Sequence, residues 1–304
     1  MTPPATGTPA GRAPDEMLQV PVEGGDLTVG RWGSGPVRAV LSHGITANHR
    51  SFDSVASALA DRGIGVVAVD HRGRGGSADV PGPFGLRAHA ADLVTVADAV
   101  DAHAPVAAGH SMGAWVVANA AELAPRRWSG IVAIDGALPA ARDVPPDADV
   151  EAVLAETIGP ALARLDMEFD SVEAVMELWR RHPSVGPIVD AAADYLRWDL
   201  HEVDGTWRSR VAKDAVLADG RAILVDSQAA TALARTSVPS TLLWAPRGML
   251  DEPPGFLPAE AIAALVDPLP HVTSVAVDDV NHYSIVFDAA AVGQIADAVV
   301  GHLE

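Results

Sequence analysis

Apolar and polar positions change their period several times along this 304-residue chain. Residues 17–32 read as two short strands joined across Glu23-Gly24-Gly25-Asp26, where paired glycines admit the positive φ angles of a hairpin turn. Residues 38–42 form a β-rich run that ends at His43-Gly44. From 49 to 62, Phe52, Val55, Ala56 and Leu59 recur at three- and four-residue spacing, which predicts a helix stopped at Gly63. Residues 66–69 are continuously apolar, the pattern of a strand covered on both faces, and close at Asp70. The alternation continues with a helix over 86–103, a strand over 106–108, a helix over 112–123 and a strand over 131–134. This order implies a parallel sheet, because parallel strands need crossover connections.

After Asp135 the rhythm changes. From 137 to 235 helical patterns dominate, divided by Pro145-Pro146, Gly159-Pro160, Pro183 and Gly186-Pro187, with no strand expected until 222–225. Strand and helix patterns return at 241–244, 258–266, 272–277 and 289–303. The chain therefore divides into a flexible tail (1–15), an α/β core (16–136 and 236–304) and an inserted helical cap (137–235).

Composition narrows the function. Lys and Arg number 21 against 40 Asp and Glu, a net charge of −19 that repels phosphate backbones and anionic membranes. Nucleic acid and membrane are thus excluded as expected partners. The absence of cysteine removes disulfides, thiolate metal sites and cysteine nucleophiles. The first residues lack the basic and apolar regions of a secretory signal, and no run of about 18 apolar residues occurs, so a cytoplasmic protein is expected.

The most informative segment is Gly109-His110-Ser111-Met112-Gly113, lying between an apolar run and a helix. In that setting G-x-S-x-G places the serine on a sharp strand-to-helix turn and lifts its hydroxyl above the sheet. The helix N-terminus beside it presents unpaired N–H groups to a developing oxyanion. A serine hydroxyl needs a base, and His282 follows the apolar run 272–277 at the carboxyl edge of the sheet. Several carboxylates compete to orient it, Glu252 beside Asp251 among them. Asp251 gives the chain order Ser, Asp, His and is favoured, although the loop from Trp244 to it is long; Asp135, which closes the strand after the serine's helix, is the alternative.

Together with Ser42-His43-Gly44-Ile45, Asp70-His71-Arg72-Gly73-Arg74-Gly75-Gly76-Ser77 and Asp279-Val280-Asn281-His282-Tyr283, these residues resemble the α/β-hydrolase superfamily over nearly all of 17–303 outside the insertion. The resemblance implies a mostly parallel eight-stranded sheet with helices on both faces and a helical cap. It also implies an oxyanion hole made by the backbone N–H groups of Ile45 and Met112. A cofactor-free serine hydrolase is expected, acting on a small-molecule acyl substrate: an ester, with lactones and thioesters as neighbours. Carbon–carbon bond hydrolysis, cofactor-free haloperoxidation and a triad-retaining small-molecule receptor share the same residues.

Other signals are weaker. Gly73-Arg74-Gly75-Gly76-Ser77-Ala78 fits a permissive dinucleotide motif, but Pro81-Gly82-Pro83 disfavours the helix it needs. The histidines lack metal-ligand spacing. Trp179, Trp198 and Trp207 are candidates either for an acyl pocket or for the core of the insertion, and its acidic residues, among them Asp149 and Glu151, disfavour anionic substrates.

Overall fold

The computed structural model describes residues 11–139, 144–145 and 147–304. The hairpin forms as its pattern dictates: β1 (Glu16–Val22) pairs antiparallel with β2 (Gly25–Trp32). Then follow β3 (Val37–Ser42), α1 (Asp53–Ala60), β4 (Gly65–Val69), α2 (Leu86–Ala99), β5 (Val106–His110), α3 (Met112–Leu123) and β6 (Gly130–Ile134). The sheet runs β1-β2-β4-β3-β5-β6 and continues through β9 (Ser240–Trp244) to β10 (Val272–Ala276). Strand β2 alone runs against the common direction, so its pairings with β1 and β4 are antiparallel and the other pairings in the sheet are parallel.

Strands β4, β5 and β6 are buried throughout, which explains their unbroken apolar runs. Alternate residues serve opposite faces. Ala39 and Leu41 join Phe52, which precedes α1, Leu59 of α1 and Ile295 of α11 (Ala289–Gly301), whereas Val40 joins Leu93 of α2 and Val116 of α3. Ile262 of α10 (Ala259–Val266) packs with Ala114 and Ala118 of α3. Full burial of such a leucine or valine contributes roughly 1.5–3 kcal/mol, so this two-sided core dominates stability.

Between β6 and β9 the chain forms α4 (Val150–Ala163), α5 (Val172–Arg180), α6 (Ala193–Trp198), β7 (Leu200–Val203), β8 (Thr206–Ser209), α7 (Lys213–Leu224), α8 (Ser227–Ala230) and α9 (Ala232–Arg235). Helix α4 is kinked where Ile158 leaves helical angles ahead of Pro160. Two expectations are corrected here. The insertion is not purely helical, since β7 and β8 make a hairpin whose short strands are half exposed and carry little periodicity. Residues 222–225 are the end of α7 and its cap, not a strand: the apolar run is the last turn of a helix that began at Lys213.

Of the expected tail, residues 1–10 lie outside the described residues. Its last part is tied down: Arg12 donates to Asp61 (2.6 Å), and the Gly33 N–H donates to Asp15 (2.7 Å). Pro146 also lies outside the described residues. No helix among the described residues is long and apolar enough to cross a membrane.

Candidate active site

Strand β5 ends one residue before Ser111, which takes φ 55° and ψ −124°, and α3 starts one residue after it. A side chain at positive φ is strained, and the surroundings must hold it there. The Ser111 N–H donates to the Ile134 carbonyl (2.9 Å), and its own carbonyl accepts from the Ala114 N–H (2.9 Å). Glycines make the bend possible: a Cβ on Gly113 would lie 1.9 Å from the Ser42 carbonyl oxygen. Met112 is the first residue of α3, so its N–H is one of those a helix leaves without an intrahelical acceptor.

The turn after β3 approaches from the other side, with Gly44 against the serine: a Cβ there would be 3.6 Å from Ser111 Oγ. The Gly44 carbonyl accepts from His43 Nδ1 (2.7 Å) and from the Ala47 N–H (3.0 Å). His43 Nε2 accepts from the His71 N–H (3.0 Å), which leaves the ring's proton on Nδ1. In a trans peptide the N–H points opposite the carbonyl, so these bonds also aim the Ile45 N–H. The Ile45 carbonyl is held in turn by Arg74 Nε (3.0 Å). Arg74 is fully buried, and its Nη2 lies 2.6 Å from Asp219 Oδ2 on α7. Burial opposes a charge on Asp219, but Arg74 and His89 hold its carboxyl down at about 2. Asp219→Ala would strand that guanidinium and is expected to reduce stability by about 3–5 kcal/mol, seen as a lowered Tm; an unchanged melting curve would refute the pairing.

His282 and Ser111 line one small cavity. The His282 N–H donates to the Arg247 carbonyl (3.1 Å), and His110 Nε2 donates to the His282 carbonyl (2.8 Å) while its ring stacks 4.7 Å from the His282 ring. His282 Nδ1 meets Asp135 Oδ2 at 2.6 Å, both residues being buried. Asp135 Oδ1 accepts from the Ala245 N–H (3.0 Å).

The expectation that Asp251 contacts His282 is therefore corrected to Asp135. Strand β6 lies beside β9, so a carboxylate directly after Ile134 faces the loop that follows β10. The long loop after β9 carries Asp251 further along, where it accepts from Asn281 Nδ2 (2.9 Å) and pairs with Arg247 (3.3 Å). Asp251 thus braces the residue before His282. Asn281 Oδ1 accepts from the N–H groups of Tyr283 and Ser284, completing the turn.

Burial holds His43 neutral down to about pH 3 and pushes His71 and His110 the same way. The unfolded chain protonates imidazole near pH 6.5, so the contribution of these three rings is complete above that pH and is lost progressively as pH falls below it. Each adds a slope of about 1.4 kcal/mol per pH unit. Urea midpoints are expected to fall steadily from pH 7 to pH 5; a flat profile would contradict these assignments.

A larger cavity of about 280 Å³ is also lined by Ser111 and reaches Asp135. Its walls come from Met112, Trp115 and Trp244 of the core and from Val153, Leu154 and Ile223 of the insertion. The tryptophans singled out in the insertion do not line it. Trp179 and Trp207 pack in the main apolar cluster, and Trp198 donates to Asp70 (3.1 Å). The acidic residues have local partners: Asp149 caps α4 and Glu151 pairs with Lys213 (2.8 Å).

The serine aminopeptidase (S33) family model matches residues 37–189, about half of the chain. Epoxide hydrolase A of Mycobacterium tuberculosis is 38% identical over 138 residues, covering 44% of this chain and 42% of that protein. A haloperoxidase-like protein of Mycobacterium phage D29 is 29% identical over 98 residues, covering 32% of this chain and 35% of the relative. The chain thus matches less than half the length of both curated relatives. Among solved structures, E-2-(acetamidomethylene)succinate hydrolase superposes with a TM-score of 0.74 at 24% identity, covering 94% of this chain and all of that one. An esterase from M. tuberculosis superposes with a TM-score of 0.67 at 23% identity, covering 96% and 93%. Both likenesses are of fold.

Proposed function

Since the chain belongs to the serine aminopeptidase (S33) family of α/β-hydrolases, we propose that it hydrolyses carboxylic esters through an acyl-enzyme on Ser111. The observation that carries this reading is the contact of Asp135 with His282 Nδ1 at 2.6 Å, in a histidine that shares a cavity with the strained serine. With Nδ1 donating to the carboxylate, Nε2 is the free lone pair, and a base within reach of a hydroxyl is what converts serine into a nucleophile.

In the reaction, Ser111 Oγ attacks the ester carbonyl as His282 Nε2 takes its proton. The tetrahedral oxyanion is held by the Met112 and Ile45 N–H groups, and His282 returns the proton to the leaving alkoxide. Water then repeats the attack and releases the acid. Asp135 fixes the tautomer and stabilises the imidazolium that forms. The insertion acts as the cap over the acyl site, since α4 and α7 line the larger cavity. A hydroxyl at the elbow argues against epoxide opening by an enzyme ester, which needs a carboxylate there.

Vinyl butyrate is the test substrate, with released acid titrated. Saturable hydrolysis that disappears in Ser111→Ala is expected. A folded protein inert towards this and other small esters, yet binding small apolar molecules, would instead be a receptor.

A further inference from the structure

We infer, resting on the ester-hydrolase reading, that the enzyme takes esters of an uncharged, unbranched acyl chain of about eight to ten carbons with a small alcohol. Two unequal cavities meet at Ser111, and the chemistry assigns each a side of the ester. The imidazole that takes the serine proton must deliver it to the leaving oxygen, so the alcohol occupies the cavity that His282 lines. That cavity holds about 40 Å³, closed in by Gly44, Ala47, Tyr195, Tyr283 and Phe287. His282 does not line the larger cavity, which begins at Ser111 and Met112 beside the oxyanion donors. The acyl chain therefore extends there.

Size and polarity specify the chain. An apolar cavity of about 150 Å³ accommodates benzene, with its six carbons. At that scale the 280 Å³ here corresponds to about ten or eleven non-hydrogen atoms. Among the described residues, Asp135 supplies the one charged side chain in the lining, and both of its oxygens are already engaged. The remaining walls are almost wholly aliphatic and aromatic, Thr157 adding a hydroxyl. A carboxylate or ammonium on the acyl chain would find no free partner among the described lining residues and would lose its hydration. The chain's net charge of −19 adds to the discrimination against anions.

The test is a pair of isomers that carry the same octyl chain on opposite sides of the ester group. Methyl nonanoate places it on the carbonyl, octyl acetate on the oxygen. With the full-length protein and released acid titrated, kcat/KM is expected to favour methyl nonanoate by about 250-fold, the equivalent of some four buried methylenes at roughly fourfold each. Along the methyl esters it should climb by a similar factor from butanoate to octanoate and stop climbing beyond about ten carbons. Val153→Phe, which fills the larger cavity, should move that limit to shorter chains. Equal or better turnover of octyl acetate, or a maximum at butanoate, would overturn the assignment while leaving the hydrolase reading intact. Failure of every ester, vinyl butyrate included, would overturn both.

Discussion

Replacing Ser111 by alanine is expected to lower kcat for vinyl butyrate by about five to six orders of magnitude, the loss seen when a triad nucleophile is removed. The bend itself should survive. Alanine keeps a Cβ at the same φ of 55°, and the bonds that hold the turn, from the Ser111 N–H to Ile134 and from Ala114 to the Ser111 carbonyl, are made by backbone. Superimposable urea curves for the two proteins would therefore accompany the kinetic loss. What activity remains would come from the Met112 and Ile45 N–H groups and from binding alone. A variant that folds normally and keeps more than about one per cent of kcat would remove Ser111 from the chemistry.

The second large effect separates two carboxylates. Asp135→Asn preserves shape, and its carbonyl can still accept from the Ala245 N–H, but its amide cannot accept from His282 Nδ1–H. The imidazole then holds the wrong tautomer, and kcat is expected to fall about ten-thousandfold, which steady-state kinetics would read directly. Asp251→Asn should change it by less than about tenfold. That residue touches Asn281 and Arg247, and acts on His282 only through the loop between them. If the losses were reversed, the contact at 2.6 Å would be structural and Asp251 would be the functional acid.

This difference marks where the sequence stops being legible. Strands buried on both faces declare themselves by unbroken apolar runs, as at Val66 to Val69, and the serine elbow by glycines that nothing larger could replace. Those signals are local. Which carboxylate reaches His282 depends on β6 lying next to β9, a pairing between segments about a hundred residues apart. Spacing along the chain favours Asp251, and the clue against it was the length of the loop from Trp244. Asp135 offered a quieter sign: a carboxylate directly after the wholly apolar strand Gly130–Ile134, and therefore at its buried end.

The insertion was less readable for a related reason. Strands β7 and β8 are four residues each and half exposed, so neither a continuous apolar run nor a clean alternation marks them. Trp179, Trp198 and Trp207 drew notice by size alone. The tryptophans that face the larger cavity, Trp115 and Trp244, sit on core elements whose apolar patterns already accounted for them. The network behind the turn at Gly44 and Ile45 was equally hidden, because Arg74 and Asp219 are far apart in sequence and meet only through the docking of α7.

An alkyl fluorophosphonate reports on the central claim most directly, since it reacts only with a hydroxyl that a nearby base has activated. Intact mass and peptide mapping after exposure should find a single adduct, on Ser111, formed far more slowly in His282→Ala and Asp135→Asn and at nearly the unmodified rate in Asp251→Asn. An adduct on another residue, or labelling that proceeds undiminished in Ser111→Ala, would contradict the account.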